Sequence, residues 1–273
     1  MRLSIYIRQI RPLHILKNFA ILLPAFYYGY IFNKTILYEL LWVFVKFTFA
    51  AFIIYTINDI FDRKEDKRHP RKRFRPIPNG ELKIPEAIML IIVLSVTLVF
   101  LNIIGPSPKI LFLILLFIFI NILYSWRLKK FFLIDAITVS TGFILRIIAG
   151  FECIHHKPDI NMLLWIFTIA ILVALAKRIK RESRDIESHS VMNIYLILSP
   201  LSIILNFLFL INLHLPIIII LSVFFHMIGI LRFYYYLIKI NNHLSPFEIL
   251  LNDSWLFLIV LINTIFCFKV IYL

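Results

Sequence analysis

Charge is scarce in this 273-residue chain: 16% of it is Asp, Glu, Lys or Arg, against 61% hydrophobic residues and a mean hydropathy of +0.91. That shortage excludes a soluble domain and points to a polytopic membrane protein. Cysteine is nearly absent. Cys153 and Cys267 stand far apart and form no metal-binding or redox pattern. No internal repeat, linker or low-complexity segment interrupts the chain, so a single domain over residues 1–273 suffices. The first residues lack the layout of a signal peptide and are expected to be retained. Acidic residues are outnumbered, 15 against 29 Lys and Arg, for a net charge of +14. Such an excess suits nucleic acid, anionic lipid or a polyanionic substrate. No recognisable nucleic-acid module is present, so nucleic acid is not an expected partner.

What the chain has in abundance is long apolar runs. A membrane span needs about 20 mostly apolar residues. Nine such runs are read at 18–33, 37–58, 84–104, 109–126, 131–151, 161–176, 192–212, 215–238 and 254–272. The expected fold is therefore all-α, a nine-helix transmembrane bundle with a polar cavity facing the cytoplasm. If the N-terminus is cytoplasmic, so are 1–18, 59–83, 127–130, 177–191 and 232–253. These segments carry 23 of the 29 Lys and Arg, a positive-inside bias that fixes the orientation and places the C-terminus outside. An inner, cytoplasmic membrane is the expected location, with membrane lipid as a constant partner.

One stretch breaks the apolar pattern. Between Asn58 and Gly80, three aspartates and a glutamate meet eight Lys and Arg. Asp59, Asp62 and Asp66 are spaced three and four apart and share one face if the segment is helical, with Asn58 at its edge. Carboxylates at a helix's C-terminal end repel one another and the helix dipole. A hard cation among them would relieve that repulsion, and oxygen ligands suit Mg²⁺ together with substrate phosphates. On this reading, removing one carboxylate should leave stability without metal unchanged or raised. Pro70, Pro76, Pro78 and Gly80 predict a loop over 67–80, whose Arg and Lys would partner phosphate.

These residues resemble the UbiA superfamily of membrane prenyltransferases. Asn58, Asp59, Asp62 and Asp66 fit its N-D-x-x-D-x-x-x-D signature, and Arg75-Pro76-Ile77-Pro78-Asn79-Gly80 fits the R-P-(I/L)-x-x-G that follows. Between them, Arg68 to Pro76 is similar to the R-x-H-P-x-K-x-x-R-P run of the decaprenyl-phosphate phosphoribosyltransferase branch. Arg11-Pro12-Leu13-His14-Ile15-Leu16-Lys17-Asn18 resembles the R-P-x-Q-W-x-K-N run before the first span, with His14 and Ile15 in place of Gln and Trp. Gly142 to Gly150 is similar to the G-F-x-L-R-x-x-A-G stretch. Its Arg146, deep in an apolar span, is either a structural lock or a ligand contact, and Gly142 and Gly150 permit close helix contact. After the sixth span the branch carries K-R-x-x-E. Lys177 and Arg178 match, but Arg181 stands where Glu is expected, Glu182 follows one residue later, and Asp185 competes for the role.

The resemblance implies Mg²⁺-dependent transfer of 5-phosphoribose from phosphoribosyl diphosphate to a polyprenyl phosphate, releasing diphosphate. Asp59, Asp62 and Asp66 would be catalytic and, with Asn58, would hold the metal. Lys17, Asn58, Lys72, Arg73, Arg75, Tyr124, Lys177, Arg178 and Glu182 would bind substrate. The alternative within the family is prenyl transfer from a prenyl diphosphate to an aromatic or glycerol-phosphate acceptor. From another class, a non-catalytic lipid-phosphate carrier would share the composition without needing the aspartate spacing. Isoprenoid length and oligomeric state are not encoded in any of these features.

Overall fold

Long runs of Leu, Ile and Phe favour helix wherever the backbone must satisfy its own hydrogen bonds in lipid. The computed structural model bears this out for residues 2–105, 107–126, 132–179, 186–214, 216–239, 249 and 252–273, which are the residues described. α1 (Arg2–Ile10) leads into a 3-10 helix (Pro12–Leu22) and α2 (Leu23–Tyr27). α3 (Lys34–Phe61), α4 (Arg63–Arg68), a 3-10 turn (Lys72–Phe74) and α5 (Pro76–Asn79) follow. Then come α6 (Ile84–Ile104), α7 (Pro108–Trp126), α8 (Phe132–Cys153), α9 (Ile160–Ile179), α10 (Ile186–Asn212), α11 (Pro216–Lys239) and α12 (Ser254–Tyr272). Among the described residues, six helices are long and apolar enough to cross a membrane, and two shorter apolar helices cover Ile160–Leu175 and Leu221–Tyr235. The protein is an integral membrane protein of all-α class.

The chain divides into two compact units. One comprises 1–24, 31–138 and 145–156, the other 25–30, 139–144 and 157–273. In the first, α3 is the central element: Leu40, Phe47 and Ala50 are fully buried, and α6, α7 and the 3-10 helix pack on it. Its start is set by Asn33, whose side-chain oxygen accepts from the Thr35 and Ile36 amides at 3.1 and 3.2 Å, a cap worth about 1 kcal/mol. α6 presents Ile88, Met89, Ile92, Val96 and Val99 outward, as expected of a surface solvated by lipid. In the second unit, Trp165 stacks on Phe209 with centroids 5.5 Å apart, and Tyr27 meets both edge-on. Arg232 pairs with Asp253, whose side chain also caps α12 through the Leu256 amide at 2.8 Å.

Two expected boundaries differ. The run at 18–33 is not one α-helix: a 3-10 helix starts at Pro12, turns α-helical at Leu23 and stops at Tyr27. Pro24 removes an amide donor, and Gly29 at φ 78° turns the chain. The stretch 67–80 is not a plain loop, since it holds the 3-10 turn and α5. Each proline after Pro70 sits where no helical amide is required, Pro76 being the first residue of α5. Gly80, at φ 85°, ends α5 in the left-handed conformation.

Candidate functional site

The site lies at the C-terminal end of α3. Asp59 is in the last turn of that helix, Asp62 forms the junction with α4, and Asp66 lies in α4. All three are buried. A single turn residue, Asp62 (φ −85°, ψ −1°), separates α3 from α4, and helical hydrogen bonds continue through it, from the Asp62 amide to Asn58 O at 2.9 Å and from the Asp66 amide to Asp62 O at 2.8 Å. The carboxylates do not simply face one another. Arg11 pairs with Asp59, and Arg75 Nη1 reaches Asp59 at 3.1 Å and Asp66 at 2.6 Å. Lys72 Nζ is 3.3 Å from Asp66. Gln9 Nε2 donates to Asp59 at 3.0 Å, and Asn58 Nδ2 donates to Asp62 at 3.2 Å. The expectation of carboxylate repulsion is corrected by this network: guanidinium groups neutralise the acids, and a buried charge without its partner is costly.

Three segments distant in sequence are held together by a small apolar cluster. Ile77, Leu82 and Ala87 are buried, with Ile5, Tyr6, Ile60 and Ile84 packed against them. This fixes α1 and the Pro-Ile-Pro turn beside the end of α3. The Arg8–Glu81 ion pair reinforces the same contact. His69 orders the residues that follow it, its Nδ1 accepting from the Arg71 and Lys72 amides at 3.2 and 3.3 Å. Arg11 adopts φ 51°, ψ 70° immediately before Pro12. That left-handed conformation is unusual for a non-glycine residue, and here it turns the chain out of α1 while the Arg11 side chain engages Asp59.

Beside the carboxylates is a cavity of about 280 Å³ lined by Arg8, Arg11, His14, Arg71, Phe74, Arg75 and Pro76. Four guanidinium groups around one cavity make it a receptor for an anion. Burial makes the Arg75 guanidinium less basic than in water, and neighbouring Arg11 adds to the effect, while Asp59 and Asp66 oppose it. Among the described residues, no three His, Cys, Asp or Glu side chains converge as a ready-made ion cage. The donor chemistry nevertheless fits a hard cation. The three aspartates offer carboxylate oxygens, and buried Asn58 Oδ1 and Gln9 Oε1 have no hydrogen-bond donor.

The other expected residues are placed less uniformly. Arg73 is exposed and lies over the Phe74 ring at 4.8 Å, outside the cavity lining. Lys17 in the 3-10 helix and Tyr124 in the last turn of α7 are half-buried, and neither lines the cavity. Lys177 and Arg178 occupy the last turn of α9, with side chains outside the described residues; Glu182 and Asp185 lie wholly outside them. Arg146 is resolved as a lock. Its Nε donates to Asn18 Oδ1 at 2.7 Å, its guanidinium lies 4.4 Å over the Phe117 ring, and Asn18 in turn donates to Thr48 at 2.9 Å. Gly150 allows the adjoining approach: a Cβ there would stand 2.1 Å from the Ile21 carbonyl oxygen. The residues missed from sequence are Arg8, Gln9, Arg11 and Arg71. Their only signal was a place in or near the Arg-Pro and His-Pro runs.

Comparison with known proteins identifies the family and the fold. The model of the UbiA prenyltransferase family matches residues 21–246. The chain belongs to the UbiA prenyltransferase family. Decaprenyl-phosphate phosphoribosyltransferase of Corynebacterium glutamicum is 36% identical over 149 residues, 53% of this chain and 44% of that protein. The Mycobacterium tuberculosis protein of the same name is 30% identical over 151 residues, 53% of this chain and 49% of that protein. The alignments thus span about half the length of these curated relatives. A UbiA homologue from Archaeoglobus fulgidus, solved bound to DMAPP and Mg²⁺, superposes with a TM-score of 0.73 at 20% identity. That match covers 97% of this chain and 98% of the other, which establishes the shared fold.

Proposed function

We propose that this UbiA-family protein transfers 5-phosphoribose from phosphoribosyl diphosphate to a polyprenyl phosphate and releases diphosphate. The observation that carries the reading is the adjacency of the arginine-lined cavity to the aspartate cluster. A phosphoribosyl donor has two separate anionic ends, a diphosphate and a 5-phosphate, and the site offers two kinds of partner. Asn58, Asp59, Asp62 and Asp66 would hold Mg²⁺, which supplies charge neutralisation for the departing diphosphate. Arg8, Arg11, Arg71 and Arg75 bind phosphate oxygens and fix the sugar's orientation. Lys72 adds a point charge at the Asp66 side. The bond from ribose C1 to the diphosphate oxygen breaks as an acceptor phosphate oxygen bonds to C1. No dedicated base is required, because a phosphate monoester loses its second proton near pH ~6.

The orientation read from the charge distribution, with the N-terminus and both charged loops in the cytoplasm, supports a cytosolic donor and a lipid-borne acceptor in an inner membrane. Lys17, Tyr124, Lys177, Arg178 and Glu182 are further substrate-binding residues in this reading, carried over from the family resemblance. The names of the two relatives above point to the same chemistry. The test is incubation of purified protein with labelled phosphoribosyl diphosphate and a polyprenyl phosphate, in parallel with a labelled prenyl diphosphate and 4-hydroxybenzoate. Label should move from the first donor, stop on chelation with EDTA, and return with Mg²⁺ or Mn²⁺ better than with Zn²⁺. Consumption of the prenyl diphosphate alone would transfer the assignment to prenyl chemistry.

A further inference from the structure

Arg11 and Arg75 face two ways. Both line the cavity, and both are paired with the carboxylates a divalent cation would use: Arg11 with Asp59, and Arg75 with Asp59 and Asp66. A cation and two guanidinium groups cannot share the same few carboxylate oxygens at full strength, since like charges held at this range repel strongly in a partly buried site. A cation on Asp59 and Asp66 therefore displaces the arginines, and the space open to both is the cavity that Arg8 and Arg71 also line. We propose that Arg11 and Arg75 are exchangeable groups that pass from carboxylate to phosphate. Cation binding at the aspartates and phosphate-monoester binding in the cavity are then positively coupled. The proposal rests on the reading above that a divalent cation and phosphorylated substrates meet here.

The exchange makes the cavity more than a static basic patch. While Asp59 and Asp66 engage the guanidinium groups, part of the cavity's positive charge is cancelled and an anion is bound weakly. Once a cation takes the carboxylates, the same arginines act at full charge on the anion. Linkage then requires the phosphate to raise cation affinity by the same factor. The guanidinium forks suit a phosphate monoester, which presents three oxygens to several arginines at once. Either the 5-phosphate of a sugar phosphate or the head of an isoprenyl phosphate carries that chemistry.

The test measures binding by calorimetry on the full chain in detergent, so no turnover is needed. The probes are ribose 5-phosphate and geranyl phosphate, each titrated with and without Mg²⁺; a monoester chelates Mg²⁺ far more weakly than a diphosphate does. In wild type, Mg²⁺ should tighten one of the two probes at least tenfold, within the usual range of coupling between sites. Which probe responds identifies the source of the phosphate. Asp59→Asn should bind that probe tightly without Mg²⁺ and respond little when it is added. Asp66→Asn, which leaves Arg11 its carboxylate partner, provides the same comparison should Asp59→Asn fail to fold. Arg71→Ala should weaken the probe with and without Mg²⁺ while preserving the ratio. Dissociation constants for both probes that Mg²⁺ leaves unchanged overturn the proposal, as does wild-type Mg²⁺ dependence in the folded aspartate variants. Phosphoribosyl transfer without linked binding overturns the exchange alone. Linked binding without phosphoribosyl transfer overturns the assigned reaction alone.

Discussion

Arg75 and Arg146 are withdrawn from water in the same unit, yet their settings differ in kind. Arg75 is half-buried and bridges two carboxylates at the edge of a cavity. Arg146 is 4% exposed, and its partners include an asparagine oxygen and the Phe117 and Phe47 rings. Acid–base pairs beside open space can be traded for a metal and a phosphate, because each charge finds a substitute partner. An arginine held by a neutral amide and aromatic faces has no such exchange available, and its environment is closed around it. Within one unit the same side chain serves as a carboxylate partner at an open cavity and as a closed packing element. What separates the two uses is the charge and accessibility of the neighbours, not burial alone.

The largest expected effect falls on the exchangeable side. Asp59→Asn removes a proposed metal ligand, strands Arg11 and takes one of the two carboxylates that hold Arg75, so turnover should fall below detection in the labelled-donor assay. Stability without metal should also drop, by about 3–5 kcal/mol in a thermal melt, as for any broken buried pair. This reverses the outcome expected if the carboxylates simply repelled one another. Turnover at the wild-type rate would remove the acidic cluster from the chemistry.

On the architectural side, Gly150→Ala drives a methyl group into the Ile21 carbonyl, and backbone cannot move aside as a side chain can. Arg146→Ala leaves Asn18 Oδ1 without its donor and opens a void against Phe117. Each should cost about 3 kcal/mol. The donor Michaelis constant of the protein that remains folded should be unchanged. A large rise in that constant without loss of stability would place Arg146 among the ligand contacts and erase the contrast.

Arg75→Ala should act the other way, raising the Michaelis constant for phosphoribosyl diphosphate roughly 10- to 150-fold, the equivalent of one charged hydrogen bond of about 1.5–3 kcal/mol. The constant for polyprenyl phosphate should move much less. Equal shifts for both substrates would mean that Arg75 supports the site as a whole. Smallest of all, Arg73→Ala should stay within about 0.5 kcal/mol of wild type in a melt and change neither constant, because Arg73 is exposed and lies over Phe74. A donor effect as large as that of Arg75→Ala would show that the cavity extends across the outer face of the loop.

Helix positions were largely legible in the linear pattern, because lipid demands continuous apolar runs and those runs can be counted. The exception, 18–33, failed because Pro12, Pro24 and Gly29 govern the backbone there more strongly than hydropathy does. The aspartates and the loop arginines were legible because they stand as a charged island in an apolar chain. Arg8, Gln9 and Arg11 were not legible as site residues. Gln9 and Arg11 reach Asp59 from 50 and 48 positions away, and Arg8 reaches Glu81, only because Ile5 and Tyr6 pack beside Ile77.

By itself, then, the sequence determined membrane class, most spans, and the chemistry of the acidic and basic groups, since hydropathy and local spacing are properties of neighbours along the chain. Only tertiary structure decided which cation faces which carboxylate, that Arg146 is bonded to Asn18, and that four arginines line one open cavity. Pairing at a distance depends on where helices stop and how their ends pack, and a one-dimensional pattern carries no record of either.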